Sequence, residues 1–189
     1  MGNALTCLVP CLHLPSPHYY ARSARPGLPA SLLDDGTRVI VRGLQSSAMH
    51  NGKEGVVLSF EAEASRYLVS LPDGTTISVR GANLLQSIGV TIVDTADRGD
   101  LNGRSGRIVG GDEQRYHVSV QGQVVALTPS NVLLPRGARV RIEGLQQTPQ
   151  YNGAIGVVVD VDHDARRYVV QMATDGSHNL RVRWDNCRL

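Results

Sequence analysis

Short apolar runs recur three times along the chain, at a spacing of about fifty residues. In each copy valine, isoleucine and leucine alternate with polar residues over four to six positions, and glycine-containing turns separate the runs. Alternation with period two is typical of a strand with one buried face, and tight turns between such runs are typical of hairpins. The pattern predicts five short strands in each copy and an all-β fold.

An Asn-Gly pair, followed three residues later by a second glycine, marks each copy, and an Arg-Tyr pair marks its third predicted strand. These markers are Asn51-Gly52 with Gly55, Asn102-Gly103 with Gly106, Asn152-Gly153 with Gly156, and the pairs ending in Tyr67, Tyr116 and Tyr168. Self-similarity at a fixed period indicates one supersecondary unit used in tandem. The chain therefore divides into a tail, residues 1–33, and three units, residues 34–86, 87–135 and 136–189.

The segment hydrophobic-Asn-Gly-x-x-Gly-x-hydrophobic resembles the KOW motif, and the strand order of each unit resembles an SH3-like barrel. The resemblance covers all three units, and it implies three tandem SH3-like small β-barrels. Because its residues are mostly glycines and small apolar residues, it specifies the fold better than the function. No flexible linker separates the units, so we expect a semi-rigid rod or arc with grooves between the barrels.

The tail differs in composition from the rest of the chain. Residues 1–33 hold five of the nine prolines and no acidic residue, and they show neither period 2 nor period 3.6. We expect an extended, disordered segment.

The first residues of the tail, Met1-Gly2-Asn3-Ala4-Leu5-Thr6-Cys7, fit the pattern for N-myristoylation at Gly2. The segment resembles the dual-acylation starts of peripheral membrane proteins, in which a nearby cysteine takes palmitate. Cys7 and Cys11 are both close enough, and one myristoyl chain alone binds a bilayer only marginally. This resemblance implies a lipid anchor on the cytoplasmic face of a membrane.

Two other interpretations of the tail stay open. An acid-free segment with arginine and serine is also typical of an organelle transit peptide, which would place the protein in an organelle interior. Pro10, Pro15 and Pro17 would break the amphipathic helix that such a peptide needs. An unmodified tail is the remaining possibility.

The formal net charge of +2 is too small for a strongly basic nucleic-acid-binding protein. Units one and two each carry a net charge of −1, whereas the tail and unit three each carry +2. The three cysteines make no disulfide framework, which favours a reducing compartment. No run of eighteen apolar residues is present to span a bilayer.

Unit three holds the candidate partner-binding residues. Tyr151, Tyr168 and Trp184 could form an aromatic groove, although the tyrosine that recurs on strand three is better interpreted as a core residue. Four arginines alternate with apolar residues and are expected on the outer face of their strands: Arg139, Arg141, Arg181 and Arg183. They could meet phosphates, an acidic partner or anionic lipid, or they could be a solvated strand face.

No catalytic or metal-ligating motif emerges from the sequence, so we predict no enzyme, no cofactor and no metal. The segment Asp160-Val161-Asp162-His163-Asp164 resembles the start of a calcium loop, but Ala165 and Gln171 stand where Gly and Glu are required. A solvated hairpin loop is the better interpretation. Cys187 aligns with Leu84 and Val132 and is expected to be a small buried hydrophobic residue.

The sequence favours a membrane-anchored, non-catalytic adaptor that binds a protein partner through its barrels, with no small-molecule substrate. Two alternatives remain. The first is a KOW-like nucleic-acid-binding protein that uses Lys53, Arg104 and Arg107 in the Gly-x-x-Gly loops. The second is a structural accessory subunit of an organellar complex with a cleaved transit peptide.

Overall fold

The computed structural model describes residues 33–173 and 178–189. The predicted tail, including the predicted acylation sites Gly2, Cys7 and Cys11, lies outside the described residues except for Leu33.

The described chain is all-β, as predicted, and forms three five-stranded antiparallel sheets in tandem. Each sheet lies within the span of one predicted unit, and each has the same order, in which strand one lies between strands two and five and strand four forms an edge. The strands are β1 (Arg38–Val41), β2 (Glu54–Glu61), β3 (Arg66–Ser70), β4 (Thr76–Val79), β5 (Leu84–Gln86), β6 (Gly89–Ile92), β7 (Ser105–Gly111), β8 (Tyr116–Val120), β9 (Gln123–Leu127), β10 (Val132–Leu133), β11 (Arg139–Ile142), β12 (Ile155–Asp162), β13 (Arg167–Met172), β14 (Asn179–Arg183) and β15 (Cys187–Arg188).

The longest strand of each unit carries a bulge. The register of β2 against β3 shifts between Val57 and Ser59, and β7 and β12 shift at the equivalent positions. An extra residue on one strand bends it and increases its twist, which lets a short sheet curl around its own core.

Single turns of 3-10 helix are the only helices in the described residues. Within each unit, one precedes the second strand and another connects the fourth strand to the fifth. They are Ala48–His50, Gly81–Asn83, Gly99–Leu101, Pro129–Asn131, Pro149–Tyr151 and Trp184–Asn186.

The first unit has a core of its own, built from alternate residues such as Val39, Val41, Val57 and Val69. A second apolar cluster runs continuously through units two and three. Ile40 of β1 and Leu85 of β5 face away from the first core and belong to this second cluster, where they are 5% and 0% exposed. The three units are therefore packed on one another rather than strung apart.

The predicted rod or arc is wrong, because unit one contacts unit three directly. Asp34 at the start of unit one forms an ion pair with Arg139 of β11. The Gln86 side-chain amide, which is 3% exposed, donates to the Arg139 carbonyl at 2.5 Å and accepts from the Arg139 N–H at 3.3 Å. A buried side-chain amide whose donor and acceptor are both engaged fixes one orientation of the two units.

Units two and three contact each other reciprocally. The Leu134 N–H at the end of unit two donates to the Tyr168 hydroxyl at 2.9 Å, and the Leu189 N–H of unit three donates to the Tyr116 hydroxyl at 3.0 Å. The equivalent turns Pro129–Asn131 and Trp184–Asn186 also contact each other. Equivalent groups that meet each other are the mark of an approximately two-fold, isologous interface.

Candidate functional site: a charged cleft between the three units

The asparagine of each Asn-Gly pair has a structural task. Asn51 accepts the Leu44 N–H at 2.9 Å through Oδ1 and donates to the Leu44 carbonyl at 2.9 Å through Nδ2. Asn102 and Asn152 bind Thr95 and Leu145 in the same way. The side-chain amide thus imitates a backbone partner and closes the loop after the first strand.

The second glycine of the motif is required by close packing. A Cβ at Gly156 would lie 2.5 Å from Val170 Cγ1 and 2.6 Å from the Gln171 carbonyl oxygen. A Cβ at Gly55 would lie 2.6 Å from Val69 Cγ1, and a Cβ at Gly106 would lie 2.5 Å from Val118 Cγ1. The residues that carry the KOW resemblance are therefore used to build the fold.

The recurring tyrosines are core residues, as favoured from the sequence. Tyr67, Tyr116 and Tyr168 are 3%, 3% and 1% exposed. Each hydroxyl accepts a backbone N–H, which for Tyr67 comes from Leu33 at 3.2 Å. Burial raises the pKa of the Tyr116 and Tyr168 hydroxyls above the ordinary tyrosine value.

The predicted aromatic groove in unit three is not formed. Trp184 is 5% exposed and packs against Tyr168 with ring centroids 6.0 Å apart, so both belong to the core. Of the three predicted aromatics only Tyr151 reaches the surface in part. The same alternation that places Arg181 and Arg183 outward places Val182 and Trp184 inward.

The four predicted arginines lie in different environments. Arg139 is held by Asp34, and Arg181 of β14 is held by Asp162 of β12 on the other side of β13, so both are neutralised. Arg183 is exposed and stands opposite Arg167 in the β13–β14 register. Arg141 is exposed on β11 and lines a cleft that the three units share.

The cations of the Gly-x-x-Gly loops are committed to nearby groups. Lys53 forms an ion pair with Asp73 at 3.1 Å. Arg104 donates to the Asp100 carbonyl and to Gln121, both at 2.7 Å, and Arg107 donates to the Ser87 carbonyl at 3.0 Å. Of these three cations only Lys53 is paired with a carboxylate, whereas Arg104 and Arg107 are bonded to uncharged groups and keep their charge.

A cleft of about 570 Å³ opens where the three units meet. Its base includes Leu84 of unit one, Tyr116 of unit two and Leu189 of unit three. Its charged side chains come from all three units, and their formal charges sum to zero: Arg42, Asp112, Glu113, Arg141, Glu143 and Arg188. Sequence reasoning identified only Arg141 among them. Arg42, Asp112 and Glu113 lie in other repeats and meet Arg141 only through the packing of the units, and Arg188 lies on another strand of unit three.

No carboxylate of the described residues neutralises the three arginines of the cleft. Arg42 Nη1 donates to the Asp112 carbonyl at 3.4 Å, and Arg188 Nη1 donates to the Asp185 carbonyl at 2.7 Å. Within residues 33–173 and 178–189, no carboxylate forms an ion pair with Arg42, Arg141 or Arg188. Bonds to backbone carbonyls position a guanidinium without cancelling its charge.

The carboxylate of Asp112 is engaged in its own turn. It accepts the N–H groups of Gln114 and Arg115, both at 2.8 Å, and these two bonds hold its pKa below the ordinary value. Asp112 is therefore ionised at neutral pH, but it is directed to the backbone of its hairpin rather than to an arginine.

The remaining candidates from the sequence have structural explanations. Asp160 and Asp162 accept backbone N–H groups of their own hairpin and pair with Arg136 and Arg181, and no group of metal-binding side chains is found in the described part of the chain. Cys187 is 1% exposed, as expected, and burial raises its pKa to about 12. None of the helices in the described ranges has the length and apolar character to cross a membrane.

No protein-family model matches this chain, and no curated protein matches it either.

Proposed function

We propose that the protein is a membrane-anchored, non-catalytic adaptor that binds a protein partner through its tandem SH3-like barrels. The observation that carries this proposal is the cleft bounded by all three units, with three arginines that no described acid neutralises. Concave sites with a few convergent polar groups are the usual places of ligand recognition.

The packing of the units supports a binding role. The engaged Gln86 amide and the reciprocal tyrosine bonds fix the orientation of the barrels, so the walls of the cleft are pre-organised. A pre-organised site loses less conformational entropy on binding than a flexible one does. An adaptor gains affinity in this way without a larger contact area.

The proposed anchor rests on the residues Gly2, Cys7 and Cys11. Two acyl chains would hold the chain stably on a bilayer and raise its local concentration at that surface. Contacts of modest affinity in the cleft then suffice to hold a partner.

The anchor is tested by metabolic labelling with alkyne-myristate and alkyne-palmitate, together with membrane fractionation. We expect wild-type protein to take both labels and to sediment with membranes. Gly2→Ala should take neither label and stay in the soluble fraction, whereas Cys7→Ser/Cys11→Ser should keep only myristate. Absence of both labels from wild type, with a mature chain that starts near residue 30, would replace the anchored adaptor with the organellar subunit.

The adaptor role is tested by cross-linking mass spectrometry on the membrane fraction of cells that express the full chain. We expect cross-links from the described units to one protein partner in wild type, and their loss in Gly2→Ala. A wild-type chain that gives no protein cross-links, or one that instead cross-links to RNA, would contradict the proposal.

A further inference from the structure

In every unit, one pair of residues lies directly opposite on the outer face of the first and fifth strands. These pairs are Ile40 with Leu85, Thr91 with Leu133, and Arg141 with Arg188. We name this position the ribbon face. Because the three pairs occupy equivalent positions, the chemistry of each can be compared on one backbone.

The ribbon face is a contact surface between units. In unit one, Ile40 and Leu85 are buried in the cluster that runs through units two and three. In unit two, Thr91 and Leu133 line a smaller pocket of about 280 Å³ that Val161 of unit three lines as well. Two of the three ribbon faces are therefore apolar or nearly so, and each meets a neighbouring unit.

The interface between units two and three has two halves related by its approximate two-fold arrangement. In one half, the ribbon face of unit two meets the β12 hairpin of unit three at Val161. In the other half, the ribbon face of unit three meets the β7 hairpin of unit two at Asp112, inside the large cleft. The same arrangement thus leaves a small apolar pocket on one side and a charged cleft of twice the volume on the other.

Two arginines directly opposite on neighbouring strands repel each other, and such like-charge pairs are destabilising. A third arginine, Arg42, lines the same cleft from unit one. An anionic group among the three would relieve this repulsion and accept several charge-assisted hydrogen bonds.

The shape and charge of the cleft favour discrete carboxylates over an extended polyanion. The site is concave, so a flat bilayer surface cannot reach its base, and Glu113 and Glu143 lie at the cleft as well. These acids would repel a continuous line of phosphates but leave room for single carboxylates between the arginines.

We propose that the cleft formed by Arg42, Arg141 and Arg188 binds an acidic segment of a protein partner by its Asp or Glu side chains. This inference rests on the proposed adaptor function and names the chemistry of the partner. The Arg141–Arg188 pair on the ribbon face of unit three is the centre of the site.

The test uses the full chain and a fluorescein-labelled peptide of alternating Glu and Ser, with binding followed by fluorescence anisotropy. Arg141→Gln/Arg188→Gln removes two charges inside the cleft. The matched control, Arg167→Gln/Arg183→Gln, removes two charges from the other opposed arginine pair of the same unit, which does not line the cleft. A peptide of alternating Lys and Ser controls for non-specific binding.

We expect the acidic peptide to bind wild type, and its Kd to rise at least tenfold in the cleft variant and less than twofold in the control. We also expect the cleft variant to melt at the same or a higher temperature than wild type, because a repulsive pair has been removed. Equal loss in the two double variants would show an effect of net charge alone and overturn the proposal. No binding to wild type, or stronger binding of phosphatidylserine vesicles than of the acidic peptide, would overturn it too.

Failure here is distinguishable from failure of the adaptor proposal. Cross-links to a partner that lie on another face, with no binding of the acidic peptide, would leave the adaptor standing and remove the cleft as its site. Binding of the peptide in the cleft, with no partner cross-linked at the membrane, would leave the cleft as a site for acidic peptides and remove the membrane adaptor.

Discussion

The hydroxyl of Tyr116 in unit two accepts the backbone N–H of Leu189 in unit three at 3.0 Å. Tyr67 and Tyr168 occupy equivalent positions, but each binds the residue thirty-four positions before it, in the segment that leads into its unit: Leu33 of the tail and Leu134 at the end of unit two. At the first junction β5 runs into β6 without such an entry segment, and Ser87 N–H donates to Arg38 of unit one. The Tyr116 hydroxyl is thus left to a group from unit three, and this bond ties the two units together.

Tyr116→Phe should destabilise units two and three as one body. It leaves the buried Leu189 N–H without a partner, which costs about 1–3 kcal/mol of unfolding free energy. Urea unfolding with hydrogen exchange at Leu189 measures this effect. Tyr151→Phe, whose ring is only half-buried, is the control and should change the unfolding free energy by less than about 0.5 kcal/mol. Equal stability of the two variants would show that the bond is dispensable.

Two glycines of unit three allow the close-packing argument to be tested. Gly156→Ala would place its Cβ 2.5 Å from Val170, so we expect a loss of about 3 kcal/mol or more. Gly153→Ala meets no atom within 4 Å, and only its positive φ of 84° is unfavourable, so its cost should be about 1 kcal/mol. Chemical denaturation of the two variants measures both losses of unfolding free energy. A larger loss for Gly153→Ala than for Gly156→Ala would contradict the steric explanation.

Asp94 stands where units one and three carry Gly43 and Gly144, and it has a positive φ of 53°. Its carboxylate forms an ion pair with Arg166 of unit three at 2.6 Å, with both side chains about half exposed. Unit two thus accepts a less favourable backbone conformation and gains a contact between units.

Asp94→Ala should be less stable than Asp94→Gly by about 1 kcal/mol, because alanine loses the ion pair and keeps the unfavourable φ, whereas glycine relieves it. Combining each variant with Arg166→Gln gives the coupling energy of the ion pair, which should lie below about 1 kcal/mol. Thermal unfolding of the single and double variants measures both the difference in stability and the coupling energy. A more stable alanine variant would contradict the backbone argument.

Cys187 should be inert in the folded protein. Burial raises its pKa to about 12, so the reactive thiolate is scarce at pH 8. The pKa of Cys187 in the folded protein exceeds the unfolded value of roughly 8.5. The buried neutral thiol therefore contributes to the unfolding free energy below about pH 8.5, and this contribution is lost as pH rises toward the folded pKa. In a Cys7→Ser/Cys11→Ser background, thiol titration at pH 8 should label Cys187 only after denaturant is added, and rapid labelling without denaturant would contradict its burial.

The repeat made much of the fold predictable. Asn51, Gly55 and Tyr67 recur at fixed spacing because each satisfies a local requirement of one small sheet, namely a closed loop, a close strand contact and a capped N–H. The tyrosine and Cys187 could be placed in the core for the same reason. The predicted aromatic groove was wrong, because Tyr168 and Trp184 are needed to fill the core of a unit with few large residues.

The site was only partly predictable. Arg141 was identified from the alternation of β11, but its neighbours Arg42 and Arg188 come from other strands, and one of them comes from another unit. One signal was present in the repeat itself, since positions 40, 91 and 141 are Ile, Thr and Arg, positions 85, 133 and 188 are Leu, Leu and Arg, and arginine thus occurs only in unit three. That signal becomes meaningful once the strand register shows that the two positions lie opposite each other.

The sequence by itself determined the number of units, the strands within each one and the residues that close their loops, because these depend on local turns, period-two alternation and contacts repeated within about fifty residues. Only the tertiary structure decided how the units pack. Ile40 has the outward position of an exposed residue, yet it is buried because another unit covers it, while Arg141 at the equivalent position faces an open cleft. Contacts between units depend on the orientation of whole sheets, which alternation along one strand does not encode.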